Sequence, residues 1–236
     1  MSKGAIYLIP TVLAPDTQHQ VLPDYTVQQV KTIQHFFVEN IRTARRFISS
    51  LKLGINIETL TFYLIDKHTS NEEIKKNAKV LLDGKDVGII SEAGCPGIAD
   101  PGALVVGIGH KMGVRVVPLV GPSSIFLALM SSGLNGQSFA FKGYLPIDKQ
   151  DRVKAIKQLE KISLSLQQTQ IFMETPFRNN QLMEVIKQQC RNNTKLCIAS
   201  NITAEDALIA TKTIQEWKNT PVDLHKKPTI FVLQAY

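Results

Sequence analysis

Short apolar runs recur along the chain, each closing on Gly, Pro or a polar residue, and the stretches between them carry helical spacing. In the first half the runs predict strands at residues 5–9, 35–38, 60–64, 87–91 and 114–118. Helices are predicted at 26–33, 71–82, 102–112 and 125–130. Ser70 suits the cap of the second of these, Glu72 and Glu73 fall in its first turn, and Gly84 stands beyond its end. Strand alternating with helix implies an α/β fold with a parallel sheet and right-handed crossovers. The second half predicts a strand from Phe139, a helix carrying Lys149, Arg152, Lys154, Lys157 and Lys161, and strands at 169–174, 195–200 and 229–235. A helix runs from Pro176 to about Cys190, and 211–217 leads towards the last strand. A boundary near residue 118 gives two domains, an N-terminal α/β domain over 1–118 and a C-terminal α/β domain over 119–236.

The richest stretch is 88–102, where an apolar run dissolves into a turn before the next helix opens. Gly94, Gly97 and Gly102 permit unusual backbone angles, while Pro96 and Pro101 stiffen the path and remove donors. Asp100 suits the N-cap of the following helix and Pro101 its first position. A loop at the carboxyl end of a sheet strand is where open α/β folds bind small molecules. Pro10-Thr11 and Gly121-Pro122-Ser123-Ser124 are further strand-to-loop transitions of this type. By contrast, Gly107-Ile108-Gly109-His110-Lys111-Met112-Gly113 fails as a dinucleotide fingerprint, because its third Gly is one place late and no strand feeds it.

Charge changes the picture only modestly. The net charge is +7, and residues 119–236 hold 14 basic against 9 acidic side chains, which suits a polyanionic partner such as RNA. Arg42, Arg45 and Arg46 share one helical face, and Arg152 to Lys161 form a second basic stripe beside an apolar one of Val153, Ile156 and Leu159. Cys95, Cys190 and Cys197 lack zinc-ligand spacing and read as reduced thiols, with no metal expected. No apolar run is long enough to span a bilayer and the start lacks a signal-peptide h-region, so a cytoplasmic protein without a membrane partner is expected.

Residues 91–102, Ser-Glu-Ala-Gly-Cys-Pro-Gly-Ile-Ala-Asp-Pro-Gly, resemble the Ser-Asp-Ala-Gly-Thr-Pro-x-Ile-Ser-Asp-Pro-Gly signature of the small-subunit rRNA 2′-O-methyltransferase I family. That family is a branch of the tetrapyrrole (corrin/porphyrin) methylase superfamily, which uses S-adenosylmethionine. Glu92, Cys95 and Ala99 depart from the pattern, while its Gly and Pro framework stands. The resemblance continues at Glu39-Asn40-Ile41-Arg42, where the family has Asp in place of Asn40, and at Phe141 to Pro146. It resumes at Glu174-Thr175-Pro176-Phe177-Arg178. After Pro10-Thr11 the family's Gly-Asn pair is missing, and Ser200 and Asn201 replace a charged pair.

The resemblance implies a two-domain tetrapyrrole-methylase-like fold, with a parallel N-terminal sheet, a mixed C-terminal α/β domain and a cofactor cleft between them. It implies methyl transfer from S-adenosylmethionine to the 2′-oxygen of a cytidine ribose in small-subunit rRNA, by a homodimer acting in rRNA processing. The alternatives are a cofactor-binding relative without rRNA activity and a methylase of a tetrapyrrole or other small acceptor. Implied cofactor contacts are Pro10 in the first loop, Glu92, Ala93, Gly94, Ile98, Ala99 and Asp100 in the second, and Gly121, Pro122, Ser123 and Ser124 in the third. Ile202 and Pro228 join them from the C-terminal half, Pro228 at a position that closes over adenine in the family. Glu39, Arg42 and Glu174, which match the family's motifs, are the candidate catalytic residues. Glu39, Glu92, Glu174 and Asp100 are the carboxylates near strand ends that could serve as base, with Glu39 and Glu174 taken as facing the acceptor.

Overall fold

Strands β1 (Ala5–Ile9), β2 (His35–Val38), β3 (Thr61–Leu64), β4 (Val87–Ile90) and β5 (Arg115–Pro118) form a parallel sheet in the order β3-β2-β4-β1-β5. The computed structural model describes residues 2–66 and 68–236 of the chain, which divides into two compact units, one up to Ser123 and the other from Ser124. In the first unit successive strand residues serve opposite faces, as the pleat requires. Phe36, Val38, Ile9 and Ile90 enter one core with Ile48, while Phe37, Ile6, Val87 and Ile89 enter the other with Val105. Burial on both faces is why these strands read as continuous apolar runs instead of alternating ones.

Helices α1 (Gln18–Val21), α2 (Asp24–Thr32), α3 (Ile41–Ser50), α4 (Asn71–Asn77) and α5 (Gly102–Met112) connect these strands. Ser70 caps α4, accepting from the Glu73 amide, as its position predicts. The helix expected over 71–82 is shorter, because Ala78–Leu81 tightens into a 3₁₀ turn before Gly84 (φ +78°) reverses the chain. At α5 the expected cap is corrected by one place. Pro101 occupies the cap position, and Asp100 acts from the residue before it, accepting from the Gly102 amide at 2.6 Å.

The second unit contains α6 (Ser124–Ser132), β6 (Phe139–Tyr144), α7 (Lys149–Leu166), β7 (Thr169–Met173), α8 (Asn179–Gln189), β8 (Lys195–Ser200), β9 (Leu208–Thr213), α9 (Ile214–Lys218) and β10 (Thr229–Gln234). Its sheet runs β6-β7-β10-β8-β9 and is mixed: β6 and β7 are parallel, and the remaining pairs are antiparallel. The central strand β10 is buried throughout. Trp217 is buried on the core of this unit and donates Nε1–H to the Leu196 carbonyl at 2.8 Å.

Three expectations change here. Strand β9 stands where no strand was predicted before residue 211: it is an edge strand whose short apolar run, Ala207 to Ala210, is exposed at Leu208 and Ile209 and passes into Thr-Lys-Thr. Helix α8 begins at Asn179, since Thr175 to Arg178 form a turn closed by the Arg178 amide on the Thr175 carbonyl at 2.9 Å. Arg152 is buried, on the same side of α7 as Ile156, Leu159 and Ser163, so it leaves the proposed basic stripe.

Candidate active site

In the first unit the loops that follow β2, β4, β1 and β5 leave four neighbouring strands at their carboxyl ends. Backbone contacts tie them together. The Thr11 amide, after β1, donates to the Gly94 carbonyl, after β4, at 2.9 Å. Cys95 Sγ lies 3.4 Å from the Pro122 carbonyl, after β5, and burial pushes its thiol up, so it serves as a weak donor and not as a nucleophile. Thr26 Oγ1 donates to the Val120 carbonyl at 2.8 Å, fixing the last loop to α2.

The glycines explain how the loops come this close. A Cβ on Gly121 would sit 2.3 Å from Pro10 Cβ, so only glycine lets the β1 and β5 loops touch. Between β4 and α5 the chain stays irregular over residues 91–101, against roughly two to six residues in an ordinary βα connection. Ala99 holds φ at +61° within it, a left-handed angle that costs a residue with a Cβ and tends to be kept at sites with a task. Asp100 organises the turn, with Oδ2 accepting from Gly97 at 2.7 Å and Oδ1 from Gly102. Ala93, Ile98 and Ala99 stay exposed on it, an apolar surface with no partner assigned by the core.

Glu39 joins this edge from β2. Its Oε1 accepts from the Glu92 amide at 3.2 Å. Burial raises its pKa above the usual carboxylate range, the Glu92 amide pulls the other way, and the charges of Asp100 and Glu92 add to the rise. Glu92 is exposed and accepts from Thr43 Oγ1 at 3.3 Å. Asn40 caps α3 through Oδ1, which accepts from the Arg42 and Thr43 amides at 2.9 and 3.2 Å. The change from Asp to Asn therefore keeps the cap and removes only a charge. Arg42 and Arg46 are exposed on α3, whereas Arg45 is turned to Glu58 at 2.7 Å and over the Phe62 ring.

Glu174, Ile202, Pro228 and Ser124 belong to the second unit. Because β10 runs against β7 and β8, its start meets their ends, pairing Ile230 with Met173 and Thr229 with Ser200. Pro228 accepts through its carbonyl from the Asn201 amide at 2.9 Å, which brings Ile202 and Pro228 to one place. Asn201 and Thr203 both hold positive φ there, +49° and +75°, and the second is costly for a β-branched residue. The Glu174 side chain is completely buried, and its Oε1 accepts from Arg178 Nη2 and from the Thr175 amide, each at 2.6 Å. Burial alone would raise its pKa, but the hydrogen bond and charge of Arg178, the Thr175 amide and the buried Arg152 bring it below the ordinary value. Glu174 Oε2 and Arg178 Nε are buried without a hydrogen bond. The role of Arg152 was missed from sequence, though its spacing of four and seven from Ile156 and Leu159 carried the signal. Among the described residues no group of three side chains could hold a metal ion, and no helix is long and apolar enough to cross a membrane.

The profile of the Tetrapyrrole (Corrin/Porphyrin) Methylases matches residues 10–218. The chain belongs to this family. Among curated methylases it is 34% identical to the "Ribosomal RNA small subunit methyltransferase I" of Vibrio cholerae serotype O1, over 73% of this chain and 56% of the relative. It is 24% identical to the protein of that name from Buchnera aphidicola subsp. Acyrthosiphon pisum, over 99% of this chain and 79% of the relative. For the first three relatives the match spans only 56% to 64% of their own length. The methyltransferase CobJ shares the fold, with a TM-score of 0.64 at 12% identity, over 99% of this chain and 94% of that one.

Proposed function

We propose that the chain is an S-adenosylmethionine-dependent methyltransferase acting on the 2′-hydroxyl of a cytidine ribose in small-subunit rRNA. The observation that carries this reading is the meeting of four strand-end loops at one sheet edge, with exposed apolar residues and three carboxylates beside them, in a tetrapyrrole methylase. The acceptor comes from the relatives' names. The residues suit such a cosubstrate: Ile98, Ala99 and Ala93 offer apolar surface to an adenosyl group, and Asp100, Glu92 and Glu39 place negative charge near a sulfonium.

When bound, S-adenosylmethionine supplies an electrophilic methyl group, the carbon–sulfur electron pair staying on sulfur as the new carbon–oxygen bond forms. The chain's part is to align and to move one proton. Glu39 takes the hydroxyl proton on Oε2, the oxygen not engaged by the Glu92 amide. Its raised pKa brings it nearer the range in which a carboxylate is a useful base. Arg42, exposed on the first turn of α3, meets the phosphate backbone of the acceptor. Glu174 acts by fixing Arg178. Incubation with radiolabelled S-adenosylmethionine and unmodified small ribosomal subunits tests the proposal: label at a single cytidine ribose is the expected result. Binding of the donor without transfer, or transfer only to a porphyrinoid acceptor, would overturn it.

A further inference from the structure

The amino end of β10 and the carboxyl ends of β6 and β7 share one edge of the second sheet, since Tyr144 pairs with Met173 and Ile230 with Met173 on its other side. Two large aromatic side chains stand out into solvent at this edge, Tyr144 (57% exposed) and Phe177 (66%). The His225 ring meets Phe177 edge-on with centroids 6.0 Å apart, and the Lys226 amide donates to the Pro176 carbonyl at 3.0 Å, so the loop before β10 is held against the Phe177 turn. Arg178 is within electrostatic reach of Tyr144 and keeps nearly a third of its side chain exposed. Its guanidinium does not wander: buried Glu174 holds Nη2 at 2.6 Å. Lys226, whose amide makes that bond to Pro176, is exposed, and Asp223 in the same loop accepts from Asn180 Nδ2 at 2.8 Å and the His225 amide at 3.0 Å.

Exposed rings at one sheet edge, one on a strand end and one on a hydrogen-bonded turn, with a fixed guanidinium and an exposed ammonium in the same loops, have the chemistry of a stacking platform with phosphate neutralisation. We propose that Phe177 and Tyr144, with Arg178 and Lys226, bind unpaired nucleotides of single-stranded RNA, the bases stacking on the two rings. This deepens the reading of the chain as an RNA methyltransferase and rests on it for the identity of the polyanion. It fits the acceptor chemistry, because RNA is read by proteins mostly where bases are splayed out of the duplex. Exposed rings set with cationic side chains favour a polyanion with π faces over an acidic protein, which offers charge without rings to stack.

The test is fluorescence anisotropy with a short fluorescein-labelled single-stranded RNA of mixed sequence, set beside the same sequence as a duplex. Phe177→Ala and Tyr144→Ala should each weaken single-strand binding by about 5- to 100-fold, and Phe177→Trp should restore it. Lys226→Gln should lower the salt dependence, the slope of log K against log salt falling by about 0.7. Single-strand binding unchanged in both alanine variants, or an equal loss for the duplex, overturns the platform. So does a Phe177→Ala variant whose sedimentation shows a lost self-association, because the rings would then be covered by a second copy. Calorimetric titration with S-adenosylmethionine on the same samples separates the two readings: a wild-type chain that binds RNA through the rings but not the donor keeps the platform and loses the methyltransferase assignment.

Discussion

Glu39 and Glu174 show how environment gives one residue type two tasks. Glu39 has a raised pKa, so its protonated form is the one the fold favours and its ionised form costs stability as pH rises through that value. Glu39→Gln should therefore be more stable than wild type at neutral pH in urea titration, while methyl transfer is lost. In the wild type the activity limb that rises with pH should lie above the ordinary glutamate value of 4.5, and the variant should lack it. Glu174 has the opposite sign. Its pKa is lowered, so the stability it contributes is present above 4.5 and is lost as pH falls through the folded value. Glu174→Ala takes the counter-charge from Arg178 and from the buried Arg152, and an equilibrium denaturation should register a loss of about 3 kcal/mol. From the chain alone these two carboxylates were alike, each closing a strand. What separates them is the partner: Arg178, four residues on, holds Glu174 with a charged hydrogen bond, the Thr175 amide and the more distant charge of Arg152 adding to it, whereas Glu39 has only the Glu92 amide against burial and like charges.

At the scale of elements, the pattern of apolar runs located the first sheet because its inner strands β2, β4 and β1 send side chains into apolar cores on both faces. The Gly and Pro of residues 91–102 located the loop because their backbone constraints are a property of the residue itself. Edge strand β9 escaped because its apolar run, Ala207 to Ala210, is short and gives way to Thr-Lys-Thr within the strand, and the α8 start escaped because Pro176 satisfies a turn as well as a first helical position. Gly121 allows a direct check on the loop arrangement. Gly121→Ala places a methyl group against Pro10 and should cost about 1–3 kcal/mol, together with a weaker donor affinity by calorimetry. Asn40→Asp should keep α3 as stable as it is, whereas Asn40→Ala should lose about 1 kcal/mol in thermal denaturation.

For the whole molecule, charge is the quantity that sequence already displays and structure redistributes. Most of the excess that makes up the net +7 lies in residues 119–236, yet burial of Arg152 removes one of those charges from the surface. RNA affinity should fall steadily as salt is raised from low to physiological concentration, and a binding curve indifferent to salt would contradict an electrostatic contribution from this half. The order of strands carries a further consequence, for synthesis. The first sheet has all its strands once residue 118 is made, so that unit can settle while the ribosome is still at work. In the other sheet the middle place is taken by β10, which is translated after both of its neighbours, and until it arrives two raw edges wait side by side, open to any passing strand. A ribosome stalled shortly before Thr229 would hold a finished first half and a sticky, gaping second one.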